Sequence, residues 1–232
     1  MTDQELAALR QRIDDIMLGK ADVNYDRLAM QREADGGDYD RPAGAQGHLG
    51  ATLNYRKVVN LDNDPLFLSF MKKPLFGTIS QRIYGTERIS CFRAMFMNKP
   101  AHTGSPLAFH QDHWIDNVDL DPIVTIWTAL DNATKENGCV KIFPGTHKSV
   151  IPRAPKVGSL TEEQTAELLK QGEPVYLEMA AGESVLLHNW TVHGSDGNTT
   201  DNPRRAFSGC YVDSNAKSLI NRTFQPLFGP GA

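Results

Sequence analysis

Two histidines and one aspartate, lying in two separate stretches of the chain, have the most chemistry to offer. The segment Phe109-His110-Gln111-Asp112-His113-Trp114 sets an imidazole and a carboxylate two residues apart. On extended backbone the side chains alternate, so His110 and Asp112 share a face and can take adjacent positions around a metal. Taken alone, His-x-Asp is a common accident of sequence. A second imidazole, His193, opens His193-Gly194-Ser195 and stands 81 residues after Asp112. It is expected just beyond the end of an apolar strand, Ser184–His188. Two imidazoles and one carboxylate on a single face would form the facial triad of a non-haem Fe(II) centre, with three positions left open. Zinc would more often take a closed tetrahedral set or keep one open position. His188 competes for the third place, but only His193 has the Gly-Ser sequel and an arginine at a suitable distance.

That arginine is Arg204, 11 residues after His193. Its planar fork of donors suits a carboxylate. If the triad holds iron, 2-oxoglutarate would chelate it through the 1-carboxylate and keto oxygen, and Arg204 would meet the distal carboxylate deeper in the fold. Arg205 should point the other way, to solvent or a surface ion pair. His113, three residues from His110, falls on the opposite strand face and is either a substrate contact or structural. His147, in Pro-Gly-Thr-His, reads as a turn residue, His48 and His102 as loop residues without a role, and Cys139 as packing.

The elements that must position these groups follow from the rest of the chain. It has 232 residues, with 24 Lys and Arg against 28 Asp and Glu, which suits one domain with a substantial core. The first 40 residues carry ten acids and five bases, so the remainder is close to neutral. A basic excess of the kind nucleic-acid binding needs is missing. No apolar run approaches the roughly 18 residues that would span a bilayer. Cys91, Cys139 and Cys210 are odd in number and widely spaced, which points away from a disulfide scaffold and toward free thiols in a reducing compartment. The opening MTDQELAALRQRIDDIML lacks the pattern of a secretory signal, so a cytoplasmic location is the expectation.

Thr2 and Glu5 make a capping box for a helix with the stripe Leu6, Leu9, Ile13, Ile16 and Met17, ended by Gly19. The Gly- and Asp-rich stretch 33–50 is expected to be a loop, either a lid or a connector. Asp64-Pro65 opens a helix over PLFLSFM, and Pro74 opens another through Ile83. Strands are expected at Ile89–Met97, Ile123–Leu130, Val140–Phe143, Pro174–Glu178, Ser184–His188 and Arg205–Val212. One helix, Thr161–Lys170, interrupts them, with Thr161 and Gln164 as its capping box. Helices first and strands after predict a mainly β antiparallel sandwich with helices against one face. Residues 1–85 would be mostly helix and loop, and 88–215 the β core, within a single domain over 1–232.

His110-Gln-Asp112, Trp127-Thr-Ala-Leu130, Asn137-Gly-Cys-Val-Lys-Ile-Phe-Pro-Gly-Thr-His147 and His193-Gly-Ser195 followed by Arg204, in that order and spacing, resemble the phytanoyl-CoA dioxygenase family of Fe(II)/2-oxoglutarate oxygenases over roughly residues 50–215. The resemblance implies a double-stranded β-helix, or jelly-roll, core. It implies Fe(II) held by His110, Asp112 and His193, with 2-oxoglutarate and O2 as cosubstrates and a small organic molecule oxidised, hydroxylation being the default outcome. It also places Lys57, Met95 and Trp127 beside the 2-oxoglutarate and Ser195 where it can assist Arg204. Halogenating relatives of this fold carry a small residue in place of Asp112, so halogenation is not expected. His113 and Trp114 are candidate substrate contacts, in a pocket expected to be lined by 33–50, 113–117 and 145–160. Two other readings stay open: a cupin-like metal or small-ligand binder without turnover, and a zinc hydrolase using His110, His113 and His193. The substrate and the oligomeric state are not legible.

Overall fold

Thr2 opens the first helix, α1 (Asp3–Met17). Its hydroxyl accepts the Glu5 N–H, and the Glu5 carboxylate accepts the Thr2 N–H at 2.9 Å. The stripe Leu6, Leu9, Ile13, Ile16 and Met17 is buried as expected. Helix α2 (Pro65–Met71) is capped by the Asp64 carboxylate, which accepts from Leu66 and Phe67 N–H. Helix α3 (Pro74–Tyr84) ends on Gly85 in the left-handed region. These features belong to a computed structural model that describes residues 1–33, 47–112, 122–152, 158–216 and 223–232.

Among the described residues the strands are β1 (Ala29–Arg32), β2 (Tyr55–Val59), β3 (Ile89–Lys99), β4 (Leu107–His110), β5 (Val124–Ala129), β6 (Val140–Ile142), β7 (Val175–Tyr176), β8 (Ser184–His188), β9 (His193–Ser195), β10 (Arg204–Asp213) and β11 (Gln225–Phe228). Helix α4 (Glu162–Gln171) lies between β6 and β7 and carries the expected capping box. The larger sheet runs β1-β2-β3-β10-β5-β8, with β11 also on β3, and the smaller runs β4-β9-β6-β7.

Alternation gives the larger sheet two distinct faces. Ala94, Phe96, Ile126, Phe207 and Tyr211 pack against Leu9, Ile13, Phe67, Phe70 and Phe76 of α1–α3. Trp127, Ala129 and Ala206 point the other way and meet Val140 of the smaller sheet. The two antiparallel sheets therefore enclose a second interior, while the helices buttress the outer face of the larger sheet. That is the jelly-roll arrangement expected. A bulge in β3 pairs Cys210 with Arg93 but Tyr211 with Cys91. The extra residue, Phe92, shifts the alternation so that Cys91 joins the helix side while Arg93 faces inward.

The strands β1, β2, β9 and β11 go beyond those expected from sequence. They are short, and several mix polar and apolar residues, so their pairing partners define them more than their own pattern does. The expected strand Pro174–Glu178 contracts to Val175–Tyr176. His193 also differs in its setting: the chain turns after β8 and crosses to the smaller sheet, where His193 begins β9. Of the expected 33–50 loop, residues 34–46 lie outside the described residues.

Candidate active site

Strands β4 and β9 are neighbours, with His110 and His193 as Cα partners. Their rings lie 4.2 Å apart between centroids. Each imidazole is turned by the same device: Nδ1 lies 2.9 Å from the carbonyl oxygen two residues earlier, Ala108 for His110 and Thr191 for His193. With Nδ1–H given to backbone, Nε2 of each ring is the nitrogen that carries the lone pair a metal needs. Gly194 permits this closeness, because a Cβ there would stand 2.8 Å from the Leu107 carbonyl oxygen.

Asp112 reaches the same point by a different route from the strand alternation expected, since β4 ends at His110. Its N–H donates to the Asn189 carbonyl at 2.8 Å. Asn189 Nδ2 donates back to the Asp112 carbonyl at 3.3 Å, while Asn189 Oδ1 accepts the Ile123 N–H at 3.0 Å. The turn after β8 therefore pins Asp112. Gln111, between the two candidate ligands, ties down the loop after β6, donating to the Ser149 carbonyl and accepting the Ile151 N–H. One ligand atom each from His110, Asp112 and His193 lies within 4.8 Å of the others, the one such group among the described residues.

Asp112 Oδ1 is 3.6 Å from His110 Nε2, and Oδ2 accepts from Arg93 Nη2 at 2.7 Å. Burial alone would push this carboxyl up, but Arg93, with His193 and His110, holds it well below the usual carboxylate range. Arg93 received no role from sequence. The available signal was a charged residue on the inward face of a long, largely buried strand.

Behind the three groups, one cavity is also lined by Lys57, Met95, Trp127, Ser195 and Arg204. Arg204 is 4 % exposed. Its Nε and Nη1 make no hydrogen bond to any described residue, and its guanidinium carbon lies 5.7 Å from the Trp127 ring centre. Burial pulls Arg204 down to about 10. Lys57 is half-buried, and burial followed by the charges of Arg56 and Arg93 pulls it to about 8. Arg205 faces away, as expected, bonding Asp131 and Asp14 at 2.8 Å each.

His188 also lines the cavity but stands outside the three-residue group, its Nδ1 accepting the Trp190 N–H at 3.0 Å. His147 lies in a short 3-10 turn, Thr146–Lys148. Cys139 is buried, and that burial, followed by Glu178, pushes its thiol up to about 11. The expected substrate contacts His113 and Trp114 lie outside the described residues.

A jelly roll in which two histidines and a carboxylate converge, with a buried arginine behind them whose Nε and Nη1 have no partner among the described residues, defines a class: double-stranded β-helix proteins whose two histidines and one carboxylate could hold a metal. The chain belongs to the phytanoyl-CoA dioxygenase (PhyH) family, matching that family's profile over residues 1–206. A probable phytanoyl-CoA dioxygenase of Caenorhabditis elegans is 25% identical over 176 residues, covering 71% of this chain and 56% of that protein. The peroxisomal phytanoyl-CoA dioxygenase of Homo sapiens is 33% identical over 135 residues, covering 54% and 40% respectively. The chain thus spans about half the length of the curated relatives it matches. In fold it is similar to the crystal structure of EctD from S. alaskensis with 2-oxoglutarate and 5-hydroxyectoine, at a TM-score of 0.74 and 18% identity, covering 100% of this chain and 74% of that one. Among the described residues, no helix is long and apolar enough to cross a membrane.

Proposed function

We propose that this protein is an Fe(II)- and 2-oxoglutarate-dependent dioxygenase that oxidises a small organic molecule, with hydroxylation of an unactivated C–H bond as its default outcome. One observation carries the reading: three convergent ligand atoms share a cavity with a buried guanidinium whose Nε and Nη1 have no partner among the described residues. An orphaned buried cation is costly, and a carboxylate entering the cavity would remove that cost.

In this reading His110 and His193 present Nε2 to the metal and Asp112 presents Oδ1. Arg93 occupies the second carboxylate oxygen, which keeps Asp112 to one ligand atom and leaves neighbouring positions open. Arg204 takes the distal carboxylate of 2-oxoglutarate through its fork, with Ser195 beside it. Trp127 lies against the guanidinium and keeps water from it. Met95 and Lys57 line the cosubstrate's path, and His113 and Trp114, which follow Asp112 in sequence, are the proposed substrate contacts. When bound, ferrous iron with dioxygen supplies the oxidising power, 2-oxoglutarate ending as succinate and carbon dioxide. The chain's own part is to orient three ligands, neutralise a carboxylate and exclude water.

The test is succinate release from 2-oxoglutarate by ferrous-loaded protein in air, followed by a metabolite screen scored for products that gain one oxygen atom. Folded, iron-loaded protein that releases no succinate with any metabolite would favour a binding jelly roll without turnover. Activity that persists without oxygen and survives Asp112→Ala would favour a hydrolase.

A further inference from the structure

Lys99 and Arg204 are Cα partners across β3 and β10. Both are 4 % exposed, and both line the cavity behind the candidate metal site. Like charges placed directly opposite on a sheet repel, and burial removes the water that would screen them. Yet neither makes an ion pair within 4.0 Å with any described carboxylate. Lys99 Nζ donates to the Ser105 carbonyl, which occupies one of its three donors. The nearby carboxylate, Glu33, favours the Lys99 charge from beyond ion-pair distance and accepts from the Ser105 hydroxyl at 2.6 Å. Gly138 leaves room for the lysine stem, since a Cβ there would lie 2.6 Å from Lys99 Cδ. Two opposed, buried cations with spare donors make a site shaped for an anion that can accept from both.

We propose that Lys99 is the second cationic residue for the distal carboxylate of the cosubstrate, working with Arg204 to select a dianionic 2-oxo acid over one with a neutral tail. The inference rests on the 2-oxoglutarate reading above and adds to it a residue that the sequence motifs leave unassigned. Burial, followed by the charge of Arg204, pulls the Lys99 ammonium down to about 7 against the opposing charges of Glu33 and Asp196, so an anion bound between the two cations would restore it.

Calorimetric titration of Mn(II)-loaded protein with 2-oxoglutarate, and separately with 2-oxopentanoate, tests this without turnover. The second ligand keeps the chelating end and the chain length but lacks the distal carboxylate. Lys99→Met should weaken 2-oxoglutarate binding on the order of ten- to a hundredfold while leaving 2-oxopentanoate unchanged. Lys99→Gln, which can still donate to the Ser105 carbonyl, should show the same selective loss, and it stands in if the methionine variant fails to fold. Equal 2-oxoglutarate affinity in wild type and a folded variant would overturn the role of Lys99 while leaving the dioxygenase reading intact. A parallel loss for both ligands would also overturn it, assigning Lys99 to the cavity's shape. Wild-type protein that binds its metal and neither 2-oxo acid would overturn both readings.

Discussion

Replacing Arg204 by methionine should make the ligand-free protein more stable while it abolishes recognition of 2-oxoglutarate. Two of its nitrogens, Nε and Nη1, lack a partner among the described residues. An unsatisfied buried donor costs about 1–3 kcal/mol, and more when charged. The methionine would also relieve the repulsion from Lys99 directly opposite. Against this stands the loss of the guanidinium's contact with Trp127, about 2 kcal/mol at most. The balance is a gain of about 2 kcal/mol, which for a chain of this size raises the melting temperature by roughly 4–8 °C. Ligand response moves the opposite way. Saturating 2-oxoglutarate at about 100 times its dissociation constant should stabilise metal-loaded wild type by about 2.7 kcal/mol and the variant hardly at all. Differential scanning fluorimetry with and without 2-oxoglutarate reads both effects. A variant that melts below wild type and still responds to the ligand would refute the assignment, since Arg204 would then be a satisfied structural cation.

Three further outcomes follow from neighbouring residues. Arg93→Met should weaken metal binding by about ten- to a hundredfold, read by chelator competition. The deficit should widen as pH falls: Asp112 is held below its ordinary 3.8 by Arg93, so its ionised form normally survives until pH drops through that depressed value, and losing Arg93 moves the loss upward. Arg205→Ala removes the bridge to Asp131 and Asp14 and should cost about 3 kcal/mol in denaturant unfolding, with 2-oxoglutarate affinity unchanged; a change in affinity would contradict the opposite orientations of the two arginines. Gly194→Ala should force β9 from β4, costing about 1–3 kcal/mol and weakening metal binding, whereas normal binding would show that the strands can give way.

Helices were legible where local chemistry decides them. Thr2 with Glu5, Asp64 with Pro65, and Thr161 with Gln164 mark starts that need no distant partner. The apolar strands β3, β5 and β10 were legible for the same reason, since they bury side chains in a pattern their own residues carry. Short strands such as β9, three residues long, exist because β4 and β6 hold them on either side.

At the site, the sequence by itself determined which residue types were available: His110, Asp112, His193 and Arg204, in an order that resembled one family. Tertiary structure alone decided how they meet. Asp112 is turned toward His110 by hydrogen bonds from Asn189, 77 residues away, after the strand that was expected to align them has already ended. Arg93 meets Asp112 because it keeps the inward register of Met95 and Met97, set by the pairing of β3 with β10. Lys99 faces Arg204 because two strands pair in one register. Residue identity and local pattern are written along the chain, whereas convergence depends on hydrogen bonds and strand register between segments far apart in it, and these form only when the sheets close.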